Sequence, residues 1–128
     1  MPQSRRLGLL VATLTGALAL PSCGGGPAAA SEVLLLRVES VEVRVAPSSP
    51  PEVTALFEGI LPDGCTSLGS ITQERQGTTI SVTVTTVRTG EVCTQVVQLV
   101  SDRVRLQGDF PSGSYVARVN GVEARFTL

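Results

Sequence analysis

The sequence predicts an all-β fold, an antiparallel β-sandwich of about seven strands carrying one disulfide. Three observations predict it. Ile80, Val82 and Val84 alternate with Thr79, Ser81, Thr83 and Thr85, and a period of two places alternate residues on opposite faces of a strand. Asn120-Gly121 separates two further alternating runs, the strongest short signal for a hairpin with a type I′ turn. Turn-forming clusters recur about every ten residues from Pro47 onward, as short strands in a sandwich require. No segment after the first 22 residues has a helical period.

Composition narrows the function. The chain has 128 residues, 42% hydrophobic and 16% charged, which suits one globular domain rather than a disordered segment. Its net charge of −1 argues against the basic footprint that nucleic-acid binding needs. All ten basic residues are Arg, and there is no His. A Ser-His-Asp or Cys-His constellation therefore cannot be assembled. No cofactor and no metal are expected, because a metal site would need more ligands than two thiols supply. The carboxylates are scattered through turns and outward positions, whereas a hydrolase needs two converging in one cleft. The chain reads as a non-enzyme.

The first 22 residues stand apart. Arg5 and Arg6 form a basic start, and Leu7 to Leu20 is a mostly apolar run of signal-peptide length, too short for a comfortable membrane span. Leu20-Pro21-Ser22-Cys23 follows. Leu three residues before Cys, with a small residue just before it, resembles the lipobox of bacterial lipoproteins. That resemblance covers residues 1–23 and implies cleavage before Cys23 and acylation of its sulfur, with the chain anchored to a bacterial membrane at the cell envelope. The other reading is an ordinary secretory leader that leaves Cys23 a spare thiol. Cysteine arithmetic favours the lipobox: of three cysteines, lipidating Cys23 leaves an even pair. The chain then divides into a signal peptide (1–22), a Gly/Ala tether from the lipidated Cys (23–32) and a sandwich (33–128).

Taken in order, Val33 to Val45 is the first strand region. Leu34, Leu36 and Val38 share one parity, and Val41, Val43 and Val45 the other. A switch near Glu39-Ser40 predicts a β-bulge or a strand that changes sheets. Pro47 to Pro51 must be a loop. Glu52 to Leu61 is the second strand, with Val53, Ala55 and Phe57 on one face. Pro62-Asp63-Gly64 is a turn in which Pro presets φ and Gly permits φ > 0. Thr66 to Gln73 is a weaker strand, Glu74 to Gly77 a hairpin turn, and Thr78 to Arg88 the clearest strand. Val96 to Val100 and Arg103 to Leu106 read as two strand pieces split by Ser101-Asp102. After the Gly108–Gly113 loop come Ser114 to Val119 and Val122 to Leu128, around the Asn-Gly turn.

The switching first strand, the strand number and the size of the domain resemble immunoglobulin-like sandwiches. Phe110 to Val119 is similar to the Pro-Gly-x-Tyr-x-Val-x-Val approach to a late strand in fibronectin-type domains. There is no Trp, so the buried Trp of antibody domains is missing. Leu61 to Thr66, the second Cys and the terminal Tyr-x-x-x-Val-Asn-Gly-Val hairpin are similar to small bacterial envelope lipoproteins. That resemblance spans most of residues 53–128 and implies no particular activity.

Cys65 and Cys93 are the structural pair, since an exported protein sits where disulfides persist; a redox pair, the alternative, usually lies closer in sequence beside a helix start. Tyr115 is expected in the core or at a corner, its hydroxyl capping nearby backbone. The Arg residues belong on outward strand faces, and the Thr79–Thr85 ladder on a solvated face. Candidate binding positions are Pro62, Asp63, Gly64, Phe110 and Pro111, in loops expected at one end of the sandwich. The expected partner is an unidentified envelope protein, with the membrane contacted through the lipid. The alternative function is an exported protease inhibitor presenting the disulfide-braced loop from Leu61 to Leu68.

Overall fold

The computed structural model describes residues 31–128; the leader, Cys23 and most of the tether lie outside that range. Eight strands occur among these residues: β1 (Glu32–Leu35), β2 (Arg37–Ala46), β3 (Glu52–Leu61), β4 (Thr66–Gln76), β5 (Thr79–Arg88), β6 (Gln98–Arg105), β7 (Ser114–Val119) and β8 (Val122–Thr127). They form a five-stranded sheet facing a three-stranded one, a β-sandwich.

The extra strand comes from the parity switch. Both devices that the switch allowed are present. β1 pairs with β5 in the large sheet, and β2 pairs with β3 in the small one. The chain crosses between them at Leu36, which is buried. A register shift between Val38 and Ser40 then turns Val41 and Val43 inward.

β3 is the centre of the small sheet, flanked by β2 and β6. β5 is the centre of the large sheet, with β4 along one side. Its other side is shared: β7 covers Thr79–Val82 and β1 covers Thr85–Arg88. The β5–β7 pair is parallel, so the sandwich is not antiparallel throughout. β7 arrives after a long excursion through the small sheet and so meets β5 in the same direction, while β8 returns antiparallel beside it.

Period-two patterning fills the space between the sheets. Val53, Ala55 and Phe57 of β3 meet Ile80, Val82 and Val84 of β5, with Ala117 and Val119 of β7 completing the layer. Each of these Val, Ile and Phe side chains contributes about 1.5–3 kcal/mol relative to exposure. The two open sides close differently. Phe126 and Leu128 of the C-terminal run pack against the core where β8 meets β2. On the other side Gln73 of β4 reaches the small sheet, donating to the Arg105 carbonyl at 2.8 Å and accepting from the Gln107 amide at 3.1 Å.

Two expected breaks are absent. Glu74, Arg75 and Gln76 continue β4, and the hairpin turns on Gly77-Thr78 instead. Gly77 has φ of 61°, the left-handed value that the first position of a two-residue hairpin turn favours. Ser101-Asp102 also lies inside a strand, with Asp102 opposite Phe57. β6 is an edge strand, so a carboxylate there reaches water without breaking the ladder.

Candidate functional site

The two ends of the segment from Gly59 to Cys93 meet at one end of the sandwich. β3 ends at Leu61, which is buried, and β4 begins at Thr66. Between them Asp63 folds the chain back on itself. Its Oδ1 accepts the Cys65 amide at 2.9 Å and the Thr66 hydroxyl at 2.8 Å, and its Oδ2 accepts Arg88 Nε at 2.9 Å. The first of these is an Asx-turn, in which a side chain satisfies backbone two residues on.

Asp63 is only 7% exposed, so these bonds hold a carboxylate that water barely reaches. They also set its acidity. The Thr66 hydroxyl, the Arg88 guanidinium and the Cys65 amide favour the charged form, and together they outweigh partial burial and hold the Asp63 carboxyl below its ordinary value.

Cys65 and Cys93 are joined, with Cα atoms 5.4 Å apart. The bond fastens the start of β4 to the segment between β5 and β6. The Gly64 amide donates to the Thr94 carbonyl at 2.9 Å, and the Thr89 amide to the Cys65 carbonyl at 3.1 Å. Gly64 does not adopt φ > 0, contrary to the expectation. A Cβ there would stand 2.1 Å from Thr94 Oγ1, so any larger residue must turn the Thr94 side chain aside. Close approach to Thr94, not turn handedness, is what glycine accommodates at this position.

The Asp63 carboxylate and the two sulfurs lie within 4.8 Å of one another. In the disulfide state the sulfurs offer no thiolate, and the carboxylate already accepts three hydrogen bonds. The cluster is a covalent staple beside an ion pair, with Arg88 Nη2 also 3.5 Å from Cys93 Sγ.

The candidate loops do not share an end. β3 and β6 are antiparallel, with Leu61 opposite Gln98 and Thr54 opposite Arg105. Pro62, Asp63 and Gly64 therefore sit where β6 starts, whereas Phe110 and Pro111 follow its far end, near the Pro47–Pro51 loop. Burial separates them further. Phe110 is 8% exposed and belongs to an aromatic cluster: its ring lies edge-on to Tyr115 at 5.3 Å and tilted to Phe126 at 6.1 Å. The Arg75 guanidinium covers the Phe110 ring at 4.8 Å. Phe110 is a plug, and Pro111 supplies the carbonyl that accepts the Tyr115 hydroxyl at 2.6 Å. Tyr115 thus caps backbone four residues upstream, as expected.

The span from Leu61 to Leu68 is not one exposed loop. Its ends lie in β3 and β4, and Leu61, Asp63 and Thr66 are buried, leaving Pro62, Gly64 and Ser67 on the surface. The Thr79–Thr85 ladder lies on the outer face of the large sheet, where Thr85 Oγ1 accepts the Ser70 amide at 2.9 Å.

Sequence reasoning missed the Asp63–Arg88 pair, for which no local signal exists: the two residues are 25 positions apart. It also missed a concavity on the outer face of the small sheet. Glu42, Arg44, Leu56, Glu58 and Arg103 line it, positions spread over three strands that only the register brings together. Charges of both signs are mixed there, with Glu42 bonded to Arg44.

Three proteins of Herpetosiphon aurantiacus are similar to this chain over their whole length. An uncharacterized 10.2 kDa protein in the HgiCIIM 5′ region is 35% identical over 94 residues, 73% of this chain and 100% of the relative. The corresponding proteins in the HgiBIM and HgiEIM 5′ regions are each 36% identical over 82 residues, 63% of this chain and 100% of each relative. No solved structure matches the chain. Residues 55–128, from β3 to the C-terminus, match the family model of the ORF11 beta-sandwich domain. The chain belongs to the ORF11 beta-sandwich domain family.

Proposed function

We propose that this protein is a lipid-anchored lipoprotein of the bacterial cell envelope, whose sandwich is a non-enzymatic interaction and structural module. The observation that carries the reading is the division of labour among three cysteines. Two of them, Cys65 and Cys93, close a disulfide inside the domain, the chemistry of an oxidising, exported compartment. The third, Cys23, stands after a basic start and an apolar run, with Leu20 and Ser22 in the lipobox positions. Several acyl chains, at about 0.8 kcal/mol per buried CH₂, make a lasting anchor where one chain would not.

The domain is then tied to the membrane by the 23–32 tether and meets an envelope protein through its exposed loops and strand edges. Asp63, the most buried carboxylate in the candidate loops, is occupied in holding the turn together, which suits scaffolding rather than chemistry on a substrate.

Intact mass of the protein from its native membrane fraction tests this. A chain beginning at Cys23, carrying acyl mass and gaining about 2 Da on reduction of one disulfide, is expected. Cys23→Ser is expected to carry no acyl mass. A wild-type protein that is soluble and unacylated overturns the anchor.

A further inference from the structure

Exposed aliphatic side chains are gathered at one end of this molecule. Val33, Leu34 and Leu35 of β1 are all more exposed than buried. The segment leading into β6 adds Val96 and Val97, while Val92 is 96% exposed and Leu99 84% exposed. Strand register places these seven residues at the same end, with β1 on one open side of the sandwich and the Val92–Leu99 segment on the other. Glu32 pairs with Arg88, which pairs with Thr66 on the other side, next to Cys65. Cys93 is bonded to Cys65, and Leu99 lies opposite Ile60, which in turn faces Arg37 just after β1. The opposite end, with the Pro47–Pro51 and Phe110–Ser112 loops, adds only Val45 among the large exposed hydrophobics of the described residues.

Aliphatic exposure gathered at one end, on both of its sides, suits an end that meets something apolar. Where the chain enters the domain says what. Glu32, the first residue of β1, lies at this same end, and Cys23 is nine residues before it. Nine residues span at most about 30 Å when fully extended. The strands are up to 11 residues long, so the proline end stands about 30 Å further from the anchoring point. An acylated Cys23 therefore ties the domain to the bilayer through its disulfide end, which is the end nearer the membrane when the domain stands upright on its anchor.

We infer that the disulfide end is a membrane-docking surface, with β1 and the Val92–Leu99 segment seating their aliphatic side chains at the boundary between lipid headgroups and acyl chains. This inference rests on the anchor reading and adds to it an orientation: the domain lies against the membrane instead of swinging free. The surface chemistry also fixes what kind of lipid is needed. Arg37 and Arg88 near this end are already paired with Glu39 and Asp63, Glu32 and Glu91 add further negative charge, and the chain has no Lys, so docking comes from apolar contact and not from attraction to anionic headgroups. The free edge of β1 stays at headgroup level, where water and polar groups satisfy its backbone.

The absence of native Trp makes a clean reporter available. Val97→Trp and Val92→Trp place an indole in the patch, and Ser48→Trp places one in the proline-end loop; all three positions are exposed and outside strands. Each full-length variant is purified from the membrane fraction, its acyl mass and disulfide verified, and reconstituted into phosphatidylcholine vesicles with brominated acyl chains. Quenching several-fold stronger at 97 and 92 than at 48, with a blue shift, unchanged by adding phosphatidylglycerol or salt, is expected. An acylated protein whose indoles at 97 and 48 quench equally overturns the docking and leaves the anchor standing. A protein that carries no acyl mass overturns the anchor and the docking with it. A blue shift at 97 that needs no lipid and tracks dimer formation in sedimentation overturns it in favour of a second copy on this face.

Discussion

The side chain of Asn120 pairs with the backbone of Val84 as a neighbouring strand would. Its Oδ1 accepts the Val84 amide at 2.9 Å, and its Nδ2 donates to the Val84 carbonyl at 2.8 Å. The same Nδ2 donates its second proton to the Leu36 carbonyl at 2.8 Å, while the Leu36 amide donates to the Val84 carbonyl at 2.9 Å. β7 leaves the edge of β5 after Val82, and β1 joins it at Thr85. The carboxamide fills the gap between them, so the edge of the central strand is never left unpaired.

Replacing Asn120 therefore costs more than a turn residue should. Asn120 and Gly121 have φ of 46° and 89°, the pattern of a type I′ turn. Asn120→Gly keeps the turn and deletes the amide, leaving the Val84 N–H without its partner. A loss of about 2–3 kcal/mol is expected, at about 1 kcal/mol per bond and more for a stranded buried donor. Urea unfolding should show a lower midpoint with an unchanged slope. A loss below about 0.5 kcal/mol, typical of surface changes, would show that the carboxamide adds nothing beyond the turn.

The Asp63 network makes stability fall in acid. Its carboxyl is held below its ordinary 3.8, so the folded chain binds that proton less readily than the unfolded one. A depressed folded-state value contributes stability that is complete above the unfolded value and is lost as pH falls through the folded one. The window is below about pH 4. The thermal midpoint of wild type should drop as pH falls below about 4, and Asp63→Asn should start lower and drop less. Glu123, also lowered through its bond to Arg118, acts with the same sign. Glu123→Gln is therefore the control that separates the two.

The disulfide should act mostly on the unfolded chain. Its cysteines are 28 residues apart, and closing a loop of that size is worth about 3–4 kcal/mol in the chain-entropy model. Urea midpoints with and without reductant measure this. Cys65→Ser combined with Cys93→Ser should match the reduced wild type, since the Asp63 and Gly64 contacts remain to hold the turn. A reduced protein as stable as the oxidised one would mean that those contacts alone fix this end.

What was legible in the sequence was whatever depended on period and turn chemistry. β3 runs from Glu52 to Leu61 as read, the inward and outward faces of β5 are as read, and the Asn-Gly hairpin is where its dipeptide puts it. The errors arose where a residue's role is set by a distant strand. Arg75 belongs to β4 and not to a turn because its guanidinium lies over Phe110 and bonds the Asp109 carbonyl at 2.6 Å. Asp102 interrupts the Val100–Val104 alternation without breaking β6, because an edge strand leaves that position open to solvent. The weak pattern of β4 reflects a register shift between Leu68 and Ile71, which puts both on the inner face three residues apart. No local pattern shows that Pro62 and Pro111 end at opposite poles, since that follows from the pairing of β3 with β6.

Phe110 and Pro111 then make opposite predictions despite being neighbours. Phe110 fills space between Tyr115, Phe126 and the Arg75 guanidinium. Phe110→Ala is expected to cost about 3–4 kcal/mol, the transfer of a buried ring plus the cavity it leaves. Tyr115→Phe removes only the hydroxyl bond to the Pro111 carbonyl and should cost about 1 kcal/mol. Pro111→Ala keeps that carbonyl and changes an exposed ring, so its effect should stay within about 0.5 kcal/mol. Chemical denaturation of the three variants ranks them directly. If Phe110→Ala were as mild as Pro111→Ala, the ring would be a surface contact available to a partner, as the sequence alone had suggested, and not a plug of the core.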